Sequence, residues 1–255
     1  METIGLIAAM TRESAALLRY VSRWQNIMIG PLRGNCFELS GKTCLLITSG
    51  MGVRRASEGA RILVELSPTS KAPEALISFG IAGAVDADLA IGDVVLAEAV
   101  YKLDQETLGP LSPLAPWSDT AREAVTQALA KRGKRLYAGT AITTGGSQVT
   151  RPLLGAMKHP VLEMETAGIA QVAAEKGIPL LSIRAISDGP REPIPFDLGD
   201  VMDEDANMRP GKLLGAIIRN PRIIFQSRRM VRNSRIAADH AAIALMAALS
   251  QALFG

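Results

Sequence analysis

Residues 161–190, VLEMETAGIAQVAAEKGIPLLSIRAISDGP, gather three acids and a cation at the ends of two apolar strands. Glu163 and Glu165 flank Met164 where the first strand stops. After a helix, Arg184 and Asp188 close the second strand. In open α/β sheets ligands bind beyond the carboxyl ends of the strands, so these side chains should meet at one edge. Carboxylates there can give or take protons and accept hydroxyl hydrogen bonds, and a guanidinium can pair an anion. The arrangement suits an enzyme acting on a polar small molecule. Glu13, in Thr11-Arg12-Glu13, adds an acid in the first turn of a helix.

The elements that must hold these groups can be read from the chain. Ile4 to Ala9 is a strand, with Thr11 as N-cap of the helix that follows. Segments 35–39 and 43–48 flank Gly41-Lys42 as a hairpin. Ser49-Gly50-Met51-Gly52 leads into a helix over about 55–66. Ala75 to Phe79 is a buried strand ending in the glycine turn Gly80-Ile81-Ala82-Gly83. Another strand spans 93–99, a long Pro-, Leu- and Ser-rich irregular loop 103–118, a helix 121–131 and a strand 135–144. Residues 189–211 read as a Pro-, Gly- and Asp-rich loop, and 211–252 as helix, broken at Pro221. The fold class is α/β, with helices on both faces of one sheet.

Bulk composition agrees. The 255 residues fit one large domain or two small ones. Hydrophobic residues make up 48% and aromatics only 4%, so the interior must be mostly aliphatic, as in strands buried on both faces. Cys36 and Cys44 read as reduced thiols. With two histidines in all, His159 and His240, no metal-ligand spacing appears. No signal peptide is evident, and no apolar run reaches the roughly 18 residues that a spanning helix needs, which makes the cytoplasm the expected location. The two glycine turns lack the full dinucleotide fingerprint.

Together these segments resemble the nucleoside phosphorylase and nucleosidase superfamily. The resemblance covers residues 3–190 through IGLIAAMTRE, SGMGVRRASEGA, SFGIAGAVDADLAIGDVVLAEA, VLEMETAGIA and IRAISD, the last two being the specific ones. It implies a single-domain mixed central sheet with a distorted barrel flanked by helices, usually assembled as a homo-oligomer, dimer or higher. On this reading residues 1–205 form the catalytic domain. Residues 206–255 form a basic amphipathic helical extension packed on it or at an interface. Two branches compete. Ala-Met-x-x-Glu near the N-terminus is similar to methylthioadenosine/S-adenosylhomocysteine nucleosidases, which use water. Gly80-Ile81-Ala82-Gly83, Gly50-Met51-Gly52 and the basic extension look more like hopanoid-associated phosphorylases.

Cleaving an N-glycosidic bond requires a proton for the leaving base, electron density beside a cationic sugar, and a nucleophile at the anomeric carbon. By the resemblance, Asp188 protonates a purine, adenine being the expected base, at N7, and its alternative is a loop cap before Gly189-Pro190. Glu165 holds the ribose hydroxyls and Met164 packs under the sugar. Glu163 would point the other way in extended chain, and its alternative is a salt-bridged strand end. Glu13 activates water, or is simply a first-turn acid favoured by the helix dipole. Arg184 pairs with Glu13 or binds an anionic nucleophile, and Arg12 is a second phosphate ligand or an exposed helix residue. Ile81 stands where relatives usually carry Ser, which weakens a phosphate pocket. Gln148 stands where nucleosidases carry a stacking Phe. Val149 beside it offers backbone contacts to the base, and Phe196 completes the substrate-binding set. No cofactor is implied; the nucleophile is phosphate, entering as a co-substrate, or water.

The net charge of +3 hides an asymmetry. Eight basic residues (Arg209, Lys212, Arg219, Arg222, Arg228, Arg229, Arg232, Arg235) lie between Asp205 and Asp239 with no acid among them, leaving the remainder at −5. Three readings stay open: peripheral contact of residues 211–235 with an anionic membrane, a helical cap or oligomer interface, and, with least support, nucleic-acid binding.

Overall fold

The computed structural model describes residues 2–69, 72–104, 107–145, 154, 157–191 and 222–254. Strand β1 (Glu2–Ala8) is buried from Thr3 onward, as its unbroken apolar run requires of a strand covered on both faces. Helix α1 (Thr11–Leu18) follows at once, with Met10 rather than Thr11 as its N-cap. Strands β2 (Gln25–Ile29), β3 (Leu32–Leu39) and β4 (Lys42–Thr48) form an antiparallel meander. Its second turn has Ser40 at φ 50° and Gly41 at φ 78°, two successive left-handed residues, as a tight hairpin requires. The chain continues through α2 (Val53–Glu65), β5 (Ala75–Ala84), β6 (Val94–Asp104), β7 (Thr107–Pro113), α3 (Asp119–Ala130) and β8 (Leu136–Thr143). It ends with β9 (Pro160–Glu163), α4 (Thr166–Lys176), β10 (Leu180–Asp188) and α5 (Arg222–Leu249).

Two sequence expectations are corrected. Gly80-Ile81-Ala82-Gly83 is not a turn, because β5 runs through it to Ala84. Residues 103–118 are not an irregular loop: β6 extends to Asp104 and β7 returns antiparallel beside it. Among the described residues β7 pairs with β6 alone, and such an edge tolerates Pro110 and Pro113.

The sheet closes on itself. β5 pairs in parallel with β10, β10 antiparallel with β6, β6 in parallel with β8, β8 in parallel with β9, and β9 antiparallel with β5. This ring of five strands is the distorted barrel, and β1, β4, β3 and β2 extend from β5 as a sheet. The architecture is thus a single mixed α/β unit with flanking helices.

Helix α5 supplies one side of the main core. Its buried Ala237, Ala241, Ala244, Leu245 and Leu249 pack with Phe79 of β5 and with Leu181, Ile183 and Ala185 of β10. Alanines let the helix lie close on the strands. Because strand side chains alternate, Arg184 projects from the opposite face of β10. Arg228, Arg232 and Arg235 of the basic stretch are exposed on α5, whereas Arg209, Lys212 and Arg219 lie outside the described residues. No helix among the described residues is long and apolar enough to cross a membrane. Cys44 is buried and Cys36 half-buried, both free, and burial pushes the Cys44 thiol up to about 12.

Candidate active site

A small recess opens where β1, β5, β10 and the first turns of α1 and α4 meet, with Glu13, Ile81, Glu165 and Arg184 in its wall. Glu13 is delivered by α1, which starts directly beyond β1. The helix entry turns its carboxylate back on the chain, so that Oε2 accepts from Ala9 N (3.0 Å) and Met10 N (2.8 Å). Oε1 accepts from Ile81 N at 3.0 Å. The side chain is 2% exposed. Burial raises its pKa above the ordinary carboxylate value, against the opposing pull of those three amides and of Arg184. A carboxylate so held is a fixed proton acceptor with raised proton affinity, which is what a general base near neutral pH needs.

The chain bends immediately after β9, so Met164 and Glu165 lie in a turn rather than on extended strand. Glu165 is the residue before α4, and its Oε1 accepts from Gly52 N at the start of α2 (3.0 Å). Burial, and then the neighbouring Glu163 carboxylate, push it up to about 8. Glu163 is buried too, but faces inward. Its Oε2 accepts from Glu165 N (3.0 Å), Thr166 N (2.8 Å), Thr166 Oγ1 (2.7 Å) and Arg184 Nη2 (2.8 Å), and its Oε1 from Thr143 Oγ1. Burial alone would raise its pKa, yet Arg184, Thr143 and Thr166 hold it below the ordinary value. The ion partner of Arg184 is therefore Glu163, not Glu13 as one sequence reading had it. Arg184 Nη2 also donates to Ser78 Oγ at 2.6 Å and to Thr166 Oγ1 at 2.8 Å.

Asp188 stands four residues beyond Arg184 on β10, about 13 Å along the strand at the usual rise. The register of β10 against β5 slips between Ile186 and Asp188, a bulge of the kind that re-aims a side chain. Asp188 Oδ1 accepts from Ser187 Oγ at 2.6 Å, and burial raises its pKa. The two glycines of β5 make room for the acids. A Cβ on Gly80 would meet Glu13 Oε1 at 2.4 Å, and one on Gly83 would meet Asp188 Oδ2 at 2.7 Å.

The fold thus brings Glu13, Ile81, Glu165 and Arg184 to one recess, with Met164 half-buried beside them and Asp188 further along β10. Glu163 touches Arg184 rather than the recess. Arg12 is exposed on α1. Gln148, Val149 and Phe196 lie outside the described residues. Sequence reasoning missed Ser78, Thr143, Thr166 and the Gly52 amide, all in contact with the acids or the arginine. Only Thr166, next to the acidic pair, carried a local signal.

Comparisons with known proteins speak to the family and the fold. The sequence model of the phosphorylase superfamily matches residues 3–219. A 5'-methylthioadenosine/S-adenosylhomocysteine nucleosidase of Shewanella sediminis is 31% identical over 214 residues, covering 78% of this chain and 91% of that one. One from Glaesserella parasuis is 28% identical, covering 72% and 85%. Among solved structures, the S-adenosylhomocysteine nucleosidase of Streptococcus pyogenes superposes with a TM-score of 0.69 at 23% identity, covering 98% of this chain and 96% of that one. The futalosine hydrolase of Helicobacter pylori superposes with a TM-score of 0.67 at 14% identity, covering 97% of each. At those identities the structures speak for the fold alone.

Proposed function

The chain belongs to the phosphorylase superfamily, and we propose that it works there as a nucleosidase, hydrolysing the N-glycosidic bond of an adenine nucleoside with water as nucleophile. The relatives named above as 5'-methylthioadenosine/S-adenosylhomocysteine nucleosidases support the substrate class.

The choice of water rests on the charges around the recess. Among the described lining residues Arg184 is the sole cation, and it is tied to Glu163 at 2.8 Å. Glu13 is left without an ion partner, its charge met by three backbone amides and a distant pull from Arg184. A phosphate anion about 4 Å from it would meet repulsion of about 4 kcal/mol at a near-surface effective dielectric. Ile81 lines the same recess and offers no hydroxyl to offset that cost. Water carries no charge, and Glu13 can take its proton.

This placement supports the following steps. Glu13 accepts a proton from water as the oxygen attacks the anomeric carbon. The carbon–nitrogen bond breaks, its electron pair goes to the purine, and Asp188 delivers a proton at N7. Burial raises the proton affinity of Asp188, the direction a proton donor needs. Glu165 in its ionised form accepts from the ribose hydroxyls and stabilises positive charge on the sugar, and Met164 packs under the ring. The reaction needs no cofactor.

The test is to incubate the protein with methylthioadenosine, S-adenosylhomocysteine, adenosine and inosine, with and without phosphate, and to assay free base and sugar 1-phosphate. Base release independent of phosphate is expected. Accumulation of sugar 1-phosphate with a strict phosphate requirement would overturn the choice of water.

A further inference from the structure

Glu163 is an acid at the site that does not line the recess. Both its oxygens are engaged by protein groups from separate elements. Thr143 comes from β8, the Glu165 amide from the turn, Thr166 from α4 and Arg184 from β10. The network extends further through shared atoms. Thr143 Oγ1 accepts from Ala167 N at 2.9 Å, and Arg184 Nη2 reaches Ser78 of β5. Glu163 and Arg184 have side-chain exposures of 0% and 2%, so no solvent can replace a lost partner. A buried charge left alone is far more costly than an exposed one.

We propose that Glu163 is a positioning residue that locks Arg184 and the Met164–Glu165 turn into one rigid unit, fixing the distance between the nucleophile side and the sugar side of the recess. The inference rests on the hydrolytic reading above. Glu163 touches no substrate; it acts through its two neighbours. It holds the arginine by an ion pair and holds Glu165 by accepting from that residue's own backbone amide. It has an electrostatic effect as well. The groups facing the Glu165 carboxyl are Glu163 from β9, Arg184 from β10, Glu13 from α1 and the Gly52 amide at the start of α2. Of the two carboxylates, Glu163 contributes more to the raised proton affinity of Glu165.

The experiment uses the full chain with Glu163→Gln, which keeps the shape and removes the charge, and Thr143→Val as a milder variant that removes one ligand of Glu163. For Glu163→Gln, kcat/KM should fall about 30-fold or more, within the range of losses for misplaced catalytic groups. The affinity for free adenine, whose protonating group lies further along β10, should stay within about threefold. The limb of the kcat/KM–pH profile that reports Glu165 ionisation should move to lower pH, and so should the pH at which the fall of the thermal midpoint levels off. Thr143→Val keeps the Glu163 charge and should lower kcat/KM by about 3–10-fold without moving the pH profile. In Glu163→Gln a merely structural role would lower the midpoint and the active fraction together and leave both pH dependences in place, which would overturn the proposal. So would wild-type kinetics in Glu163→Gln. If Glu163→Gln does not fold, Thr143→Val decides, and its unchanged kinetics would overturn the proposal. Wild-type protein that releases no base from any nucleoside would instead overturn the hydrolytic reading, and the pH dependence of the midpoint would still decide for or against Glu163.

Discussion

A Cβ on Gly80 would stand 2.4 Å from Glu13 Oε1, so the glycine of β5 and the glutamate of α1 form a fitted pair. The carboxylate cannot retreat, because Ala9, Met10 and Ile81 amides hold it in place. Gly80→Ala is expected to displace the base and lower kcat by about 100-fold or more. Gly109→Ala, where a new Cβ meets nothing within 4 Å, should behave as wild type. Steady-state kinetics on both variants checks this, and a fully active Gly80→Ala would move the base elsewhere.

Asp188→Asn should remove the proton donor while keeping the shape of the site. Turnover of an adenine nucleoside should fall by about 10²–10⁴-fold, with adenine binding retained. A riboside bearing 4-nitrophenolate needs little help in leaving, so its hydrolysis should fall far less. Equal losses on the two substrates would argue against acid assistance at the base.

Glu13, Glu165 and Asp188 all have pKa values raised by burial, with Glu165 at about 8. Up to about pH 8 folded Glu165 therefore keeps a proton that the unfolded chain has already released, and Glu13 and Asp188 act in the same direction. Stability from these groups is fully present only below their unfolded values, about pH 4. It is lost as pH rises through the folded values, by about 1.4 kcal/mol per pH unit for each proton held. Urea unfolding at pH 5.5 and 8.5 should show the higher midpoint at 5.5. Glu165→Gln should flatten the difference; an unchanged slope would assign it to other groups.

Lys42 is buried at the start of β4, and its Nζ donates to Leu249 O (3.2 Å) and Gln251 O (2.8 Å), closing the carboxyl end of α5. Lys42→Met leaves those carbonyls without their donor, a cost of about 1–3 kcal/mol. At this chain length that corresponds to about 2–4 °C of midpoint per kcal/mol. Specific activity of the folded fraction should not change. Calorimetry with an activity assay separates the two.

Most strands and helices were legible because their apolar runs and periodicities are local. Gly80 and Gly83 misled because a glycine pair signals a turn locally, while their use here is to clear space for acids 67 and 105 residues away. Pro110 and Pro113 argued for loop, and only an edge position with one partner strand accommodates them in β7. Glu165 and Arg184 were legible from motif and spacing. Glu163 was legible as a salt-bridged strand end pointing away from Glu165, but its pairing with Arg184 was not, since that pair joins β9 to β10 across the fold. Closure of the ring through β5 and β10 depends on residues about a hundred positions apart, which no window along the chain can register.

Helix α5 covers the back of the two strands whose front carries Gly80 and Arg184. During synthesis those strands emerge well before residues 237–249. The nascent chain can thus hold every residue assigned to the reaction and still lack the helix that covers β5 and β10. Catalytic competence should therefore appear late and abruptly, when the alanine face of α5 leaves the ribosome and docks. Ribosome-bound chains stalled before that point should present an open apolar surface to chaperones.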